Sequence, residues 1–150
     1  MQRRNFIKIG GFIALGVLSP SLYAGFLEDH AKAFTFKSAP EAMGDLYGKA
    51  KSVADSKVEL KVPDIAENGG AVPVTISTTL PDAVEMSLFV EKNPYPLIAV
   101  WQINENTIPD FSTRIRMGET SNVVLVVKTK DGTLHTATKE VKVTVGGCGG

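Results

Sequence analysis

From residue 57 onward the chain alternates apolar and polar residues, and turn-forming residues break the alternation about every ten positions. Val58, Leu60 and Val62 alternate with Glu59 and Lys61 until Pro63-Asp64, and Asn68-Gly69-Gly70 marks a turn. Val72, Val74, Ile76 and Thr78 form the next face, with Pro73 predicting an edge position or a strand start. After Pro81-Asp82 come Val84, Met86, Leu88 and Val90; Asn93-Pro94-Tyr95-Pro96 is a rigid connection. Leu97 to Ile103 is apolar on both faces and contains Trp101, a core residue rather than a ligand binder on this reading. A loop over Asn104 to Asp110 precedes Phe111, Thr113, Ile115 and Met117, which alternate with Ser112, Arg114 and Arg116. Val123 to Val127 is wholly apolar, as a central strand should be, and Asp131-Gly132 signals a hairpin. Leu134, Thr136 and Thr138 then alternate in one parity and Val141, Val143 and Val145 in the other, which predicts a bulge near Lys139-Glu140. Seven or eight short strands of this kind predict an all-β fold, an immunoglobulin-like antiparallel β-sandwich over residues 57–145.

The residues before 57 follow other rules. Arg3-Arg4 lead Phe6, Ile7 and Lys8, an apolar run extends from Ile9 to Leu18, and Ala24 offers a cleavage point. Residues 1–24 thus read as a twin-arginine signal peptide, with Arg3 and Arg4 as the export motif and the periplasm as the destination. Gly10, Gly11, Gly16 and Pro20 leave the apolar run short for a membrane span, so no stable membrane insertion is expected after cleavage. Residues 25–56 form an N-terminal segment. Its part 25–38 is poorly patterned, while Ala39 to Ser56 reads as a short helix with Pro40 in its first turn. Met43, Leu46, Tyr47, Ala50 and Val53 make a stripe suited to packing on a sheet.

Charge and cysteine usage narrow the function. The whole chain balances 16 basic against 16 acidic residues, and the leader removes Arg3, Arg4 and Lys8 but no acid, so the mature net charge is −3. That argues against nucleic-acid binding, which needs a basic excess. The single cysteine, Cys148, allows neither an internal disulfide nor a cysteine-based metal cage, and no metal or organic cofactor motif is present. In an oxidising compartment a lone thiol is exceptional. It stands in Gly146-Gly147-Cys148-Gly149-Gly150, a segment with no side chains to bury, so residues 146–150 read as a flexible swinging arm. Three residues carry the thiol roughly 10 Å beyond the sheet edge. No His or Lys lies in the arm to activate the thiolate, and His30 and His135 are distant in sequence. Cys148 therefore reads as an acceptor in the active site of another protein.

These residues resemble a known family. The Gly146-Gly147-Cys148-Gly149-Gly150 terminus, the Arg3-Arg4 leader, the run Ser112-Thr113-Arg114-Ile115-Arg116, the Val72-Pro73-Val74 strand and the Asn93-Pro94-Tyr95-Pro96 turn are similar to SoxY, the sulfur-carrier subunit of the periplasmic thiosulfate-oxidising Sox system. The resemblance implies a covalent carrier without turnover of its own. Sulfur intermediates would ride on Cys148 and no other cofactor would be needed. It implies a SoxZ-like β-sandwich subunit as heterodimer partner, carried across the membrane with this chain. A c-type cytochrome, a sulfohydrolase and sulfur-oxidising enzymes would act on the loaded thiol. Arg114 and Arg116, on one face at period two, are candidates for docking or anion contact; a solvated strand face is the simpler account of the pair.

Two other classes compete. A structural immunoglobulin-like module would use Cys148 for an interchain disulfide. A ubiquitin-like carrier would use the Gly149-Gly150 carboxylate, but it needs ATP and a β-grasp fold, which the export leader and the strand pattern oppose.

Overall fold

The computed structural model describes residues 30–144. Arg3, Arg4 and the rest of residues 1–24 lie outside them, as do Gly146, Gly147, Cys148, Gly149 and Gly150.

Nine strands among the described residues form two sheets. The larger sheet has the order β1 (Ser52–Ala54), β9 (Leu134–Val143), β8 (Ser121–Thr129), β5 (Ala83–Val90), β6 (Leu97–Gln102). The smaller has the order β2 (Val58–Lys61), β4 (Val72–Thr78), β7 (Asp110–Ile115). A two-residue strand, β3 (Ile65–Ala66), joins the end of β9. The expected all-β sandwich is present, with a short helix, α1 (Ala39–Tyr47), and a 3-10 turn at Ala33–Thr35.

Two apolar layers hold it together. Between the sheets, Met86, Leu88 and Val90 of β5 and Val123, Leu125 and Val127 of β8 meet Val58, Val72, Val74, Ile76 and Ile115. On the outer face of the larger sheet, Phe89, Leu97, Val124, Val126 and Leu134 meet Ala33, Ala39 and Ala42, with Met43, Leu46 and Tyr47 packed alongside. β8 is apolar at every position from Val123 to Val127 because both its faces are covered. Each fully buried Val, Leu or Phe of this kind contributes about 1.5–3 kcal/mol.

Pro73 marks a strand start rather than a sheet edge. It is the second residue of the central strand β4, and β2 pairs only with Thr75–Thr78, so no partner on that flank needs the missing N–H.

The structure departs from the sequence expectations in four places. The helix stops at Tyr47, not Ser56, because Gly48 takes a positive φ of 60° and its N–H caps the Gly44 carbonyl. Residues 52–54 then form β1, so sheet structure begins before residue 57. The sheets are also not wholly antiparallel, since β1 and β3 both run parallel to β9. Finally, β9 has no bulge near Lys139-Glu140; its pairing with β8 runs unshifted from Ser121–Val141 to Lys128–Leu134. One regular strand carries apolar residues in both parities: Leu134 faces the helix layer, while Ala137, Val141 and Val143 face the smaller sheet. No helix among the described residues is long and apolar enough to cross a membrane.

Candidate functional site: the base of the C-terminal arm

The last residues of β9 are held from two sides. The regular ladder with β8 ends at the Ser121–Val141 pair. Beyond it, the Lys142 N–H donates to the Asp64 carbonyl at 2.9 Å and the Thr144 N–H to the Ala66 carbonyl at 3.1 Å. Between them, the Val143 N–H donates to Thr120 Oγ1 at 3.0 Å. The Lys139 ammonium braces the segment that supplies these carbonyls, donating to the Val62 carbonyl and to Asp64 Oδ1, each at 2.9 Å. That ammonium holds the Asp64 carboxyl below its ordinary pKa.

Gly69 completes the base. Its carbonyl accepts from the Met117 N–H at 2.7 Å. A Cβ there would collide with the Met117 carbonyl and come within 2.9 Å of the Val143 side chain. A glycine is needed for this close approach, not for its φ.

Cys148 and its flanking glycines lie beyond the described residues, so the base of the arm is the part of the site with a geometry. Arg114 and Arg116 are both exposed and alternate with buried Ile115 and Met117, so they share the outer face of the smaller sheet. Arg114 lies opposite Pro73, whereas Arg116 adjoins Met117 at the end where β9 leaves. Neither arginine forms an ion pair among the described residues. His30 and His135 are elsewhere: His30 Nε2 lies 2.9 Å from Glu85 Oε2 under the N-terminal segment, and His135 Nδ1 lies 2.7 Å from Asp55 Oδ2 beside β1. Trp101 is half-buried and stacks on Phe111 with ring centroids 5.5 Å apart, joining β6 to β7 as a core residue. Among the described residues no three His, Cys, Asp or Glu side chains gather as metal ligands would.

Sequence patterning did not find Asp64, Ala66 or Thr120 as parts of this site. A two-residue strand has no period to detect, and Pro63-Asp64 signals only a break.

A profile of the family described as "Sulfur oxidation protein SoxY" matches residues 43–148, which takes in the second half of the helix, every strand and Cys148. The chain belongs to the SoxY family. Among solved structures, the sulfur carrier protein SoxY from Chlorobium limicola f thiosulfatophilum is similar at 36% identity with a TM-score of 0.66. The match covers 72% of this chain and 97% of that one. A superoxide reductase (neelaredoxin) from Ignicoccus hospitalis is similar at 14% identity and a TM-score of 0.51, over 59% of this chain and 80% of that one. This second likeness shows the sandwich alone. Comparison with curated proteins gives no match. The SoxY match spans the braced base of β9 and ends on the one cysteine.

Proposed function

We propose that this SoxY-family chain is a covalent carrier of sulfur substrates in thiosulfate oxidation, with Cys148 as the attachment point. The observation that carries this reading is the extent of the family match, which runs through the sandwich to Cys148. The likeness to a SoxY sulfur carrier at 36% identity supports it. On this reading Cys148 and thiosulfate give two electrons to a c-type cytochrome partner and one proton to solvent, and join through a new sulfur–sulfur bond. A sulfohydrolase then uses water to release the terminal sulfone group as sulfate. The persulfide left on Cys148 passes to sulfur-oxidising partners. The chain itself turns nothing over.

Gly146, Gly147, Gly149 and Gly150 let one thiol enter active sites of different shape. The absence of a second cysteine also has a chemical reason, since a resolving thiol would expel the carried sulfur as an internal disulfide. A SoxZ-like β-sandwich completes the carrier, and the Arg3-Arg4 leader takes the chain to the periplasm.

The test is a reconstituted thiosulfate-dependent oxygen uptake with Cys148→Ser. The carrier reading expects no uptake, and intact-mass adducts on the wild-type chain that dithiothreitol removes. Full uptake with the variant would overturn it and leave the interchain-disulfide module as the better account.

A further inference from the structure

We infer that β3 and Thr120 form a clamp that sets the working length of the Cys148 arm. The inference rests on the carrier reading for its consequence and on the described hydrogen bonds for its existence. The β8–β9 ladder ends at Val141. Without further support, β9 would leave the sheet there. Instead the next three amides are each bonded in turn: 142 to Asp64, 143 to Thr120 and 144 to Ala66. The bonds alternate between the two flanks of β9, with β3 on one side and the Thr120 hydroxyl on the other.

The supports are themselves fixed. Lys139, from β9 itself, spans to the Val62 carbonyl and the Asp64 carboxylate and holds the β3 segment against the strand. Thr144 Oγ1 adds a long contact to the Ala66 carbonyl at 3.5 Å. Val143 reaches the edge of the inter-sheet core and packs on Gly69. β3 places Ala66 in the inter-sheet core, and it pairs with β9 only past the ladder with β8.

The consequence is a length. From Thr144 the thiol can reach about 13–14 Å, whereas from Val141 it could reach about 23–25 Å. A shorter tether raises the local concentration of the thiol at an enzyme docked on the sandwich. The scaling with tether length makes the difference about two-fold. Asp64, Ala66, Thr120 and Lys139 are thus positioning residues, acting on Cys148 through the chain.

The test uses the full mature chain. Hydrogen exchange should show protected amides at 142–144. Thr120→Val should accelerate exchange at 143, and Lys139→Met at 142 and 144, each at least tenfold. Protection across Val123–Val127 should be unchanged. Thr120→Ser should restore the wild-type rate. A nitroxide on Cys148, the sole cysteine, should give narrower lines in Thr120→Val and Lys139→Met. The KM of the conjugating cytochrome for the carrier should rise about two-fold with kcat unchanged. The inference is overturned if wild-type amides 142–144 exchange like a free peptide. It is equally overturned if the variants loosen them while line shape and KM stay fixed. Failure of the carrier reading is separate: Cys148→Ser would then keep full activity, whatever those amides do.

Discussion

The Tyr47 hydroxyl lies 2.6 Å from the Ser87 hydroxyl and ties α1 to the outer face of the larger sheet. Ser87 is fully buried on β5, so it has no access to water in place of Tyr47. Burial and the nearby Glu85 carboxylate push the Tyr47 phenol well above its ordinary pKa. Tyr47→Phe should lower stability by about 1–3 kcal/mol by orphaning the serine. The double variant Tyr47→Phe/Ser87→Ala should lose less than the single-variant losses combined. Urea denaturation of the four proteins measures the coupling; simple additivity would show that the two hydroxyls act independently.

Trp101 and Phe111 stack across the sheet boundary at an interplanar angle of 12°. Each alanine variant should be destabilised, and a double-mutant cycle should give a coupling of about 0.5–1.5 kcal/mol beyond simple burial. Trp101 is the single tryptophan, so its fluorescence should change in Phe111→Ala. An unchanged emission maximum and quenching profile would contradict the stacked geometry.

Gly69→Ala should be destabilised by about 1–3 kcal/mol, because the added methyl has the Met117 carbonyl and the Val143 side chain in its space. Gly118→Ala, three-dimensionally open, should be close to neutral. Melting curves of the two variants make the comparison, and equal losses would argue against the close packing at Gly69.

Asp131 caps the β8–β9 hairpin. Its carboxylate accepts from Thr129 Oγ1 at 2.6 Å and from the N–H and hydroxyl of Thr133, each at 3.0 Å. These bonds pull its pKa down to about 2, below the ordinary aspartate value of 3.8. A lowered folded-state pKa stabilises above the unfolded value and loses that contribution as the carboxylate protonates. The Asp131 contribution should therefore be complete above about pH 4 and fade as pH falls toward about 2. Asp131→Ala should flatten the pH dependence of stability in that window. An identical slope in variant and wild type would remove Asp131 as its source.

How far the sequence was legible follows from what each element depends on. The strands with a buried face announced themselves by alternation, as in Val72–Thr78, and β8 by its unbroken apolar run. α1 was legible at its start through Pro40, and Ser38, whose hydroxyl accepts from the Glu41 N–H, was a further unused signal. Its end was missed because Ala50 and Val53 continue the helical spacing by chance; Gly48 was the contrary sign. β1 and β3 were invisible because they are made by pairing with β9, not by their own residues. The expected bulge came from taking Leu134, on the outer face of β9, and Val141 and Val143, on its inner face, for one face. Arg114 and Arg116 do share an exposed face, but the braces at the base of the arm are backbone carbonyls and one hydroxyl, which leave no pattern in a sequence.

The parallel strands β1 and β3 have a mechanical consequence. Consider a load applied to the C-terminal end of β9 along the strand. Its bonds to β1, β3 and β8 lie across that direction, so they are loaded together in shear rather than peeled one at a time. Such a load is thereby spread along the strand instead of falling on one bond at a time.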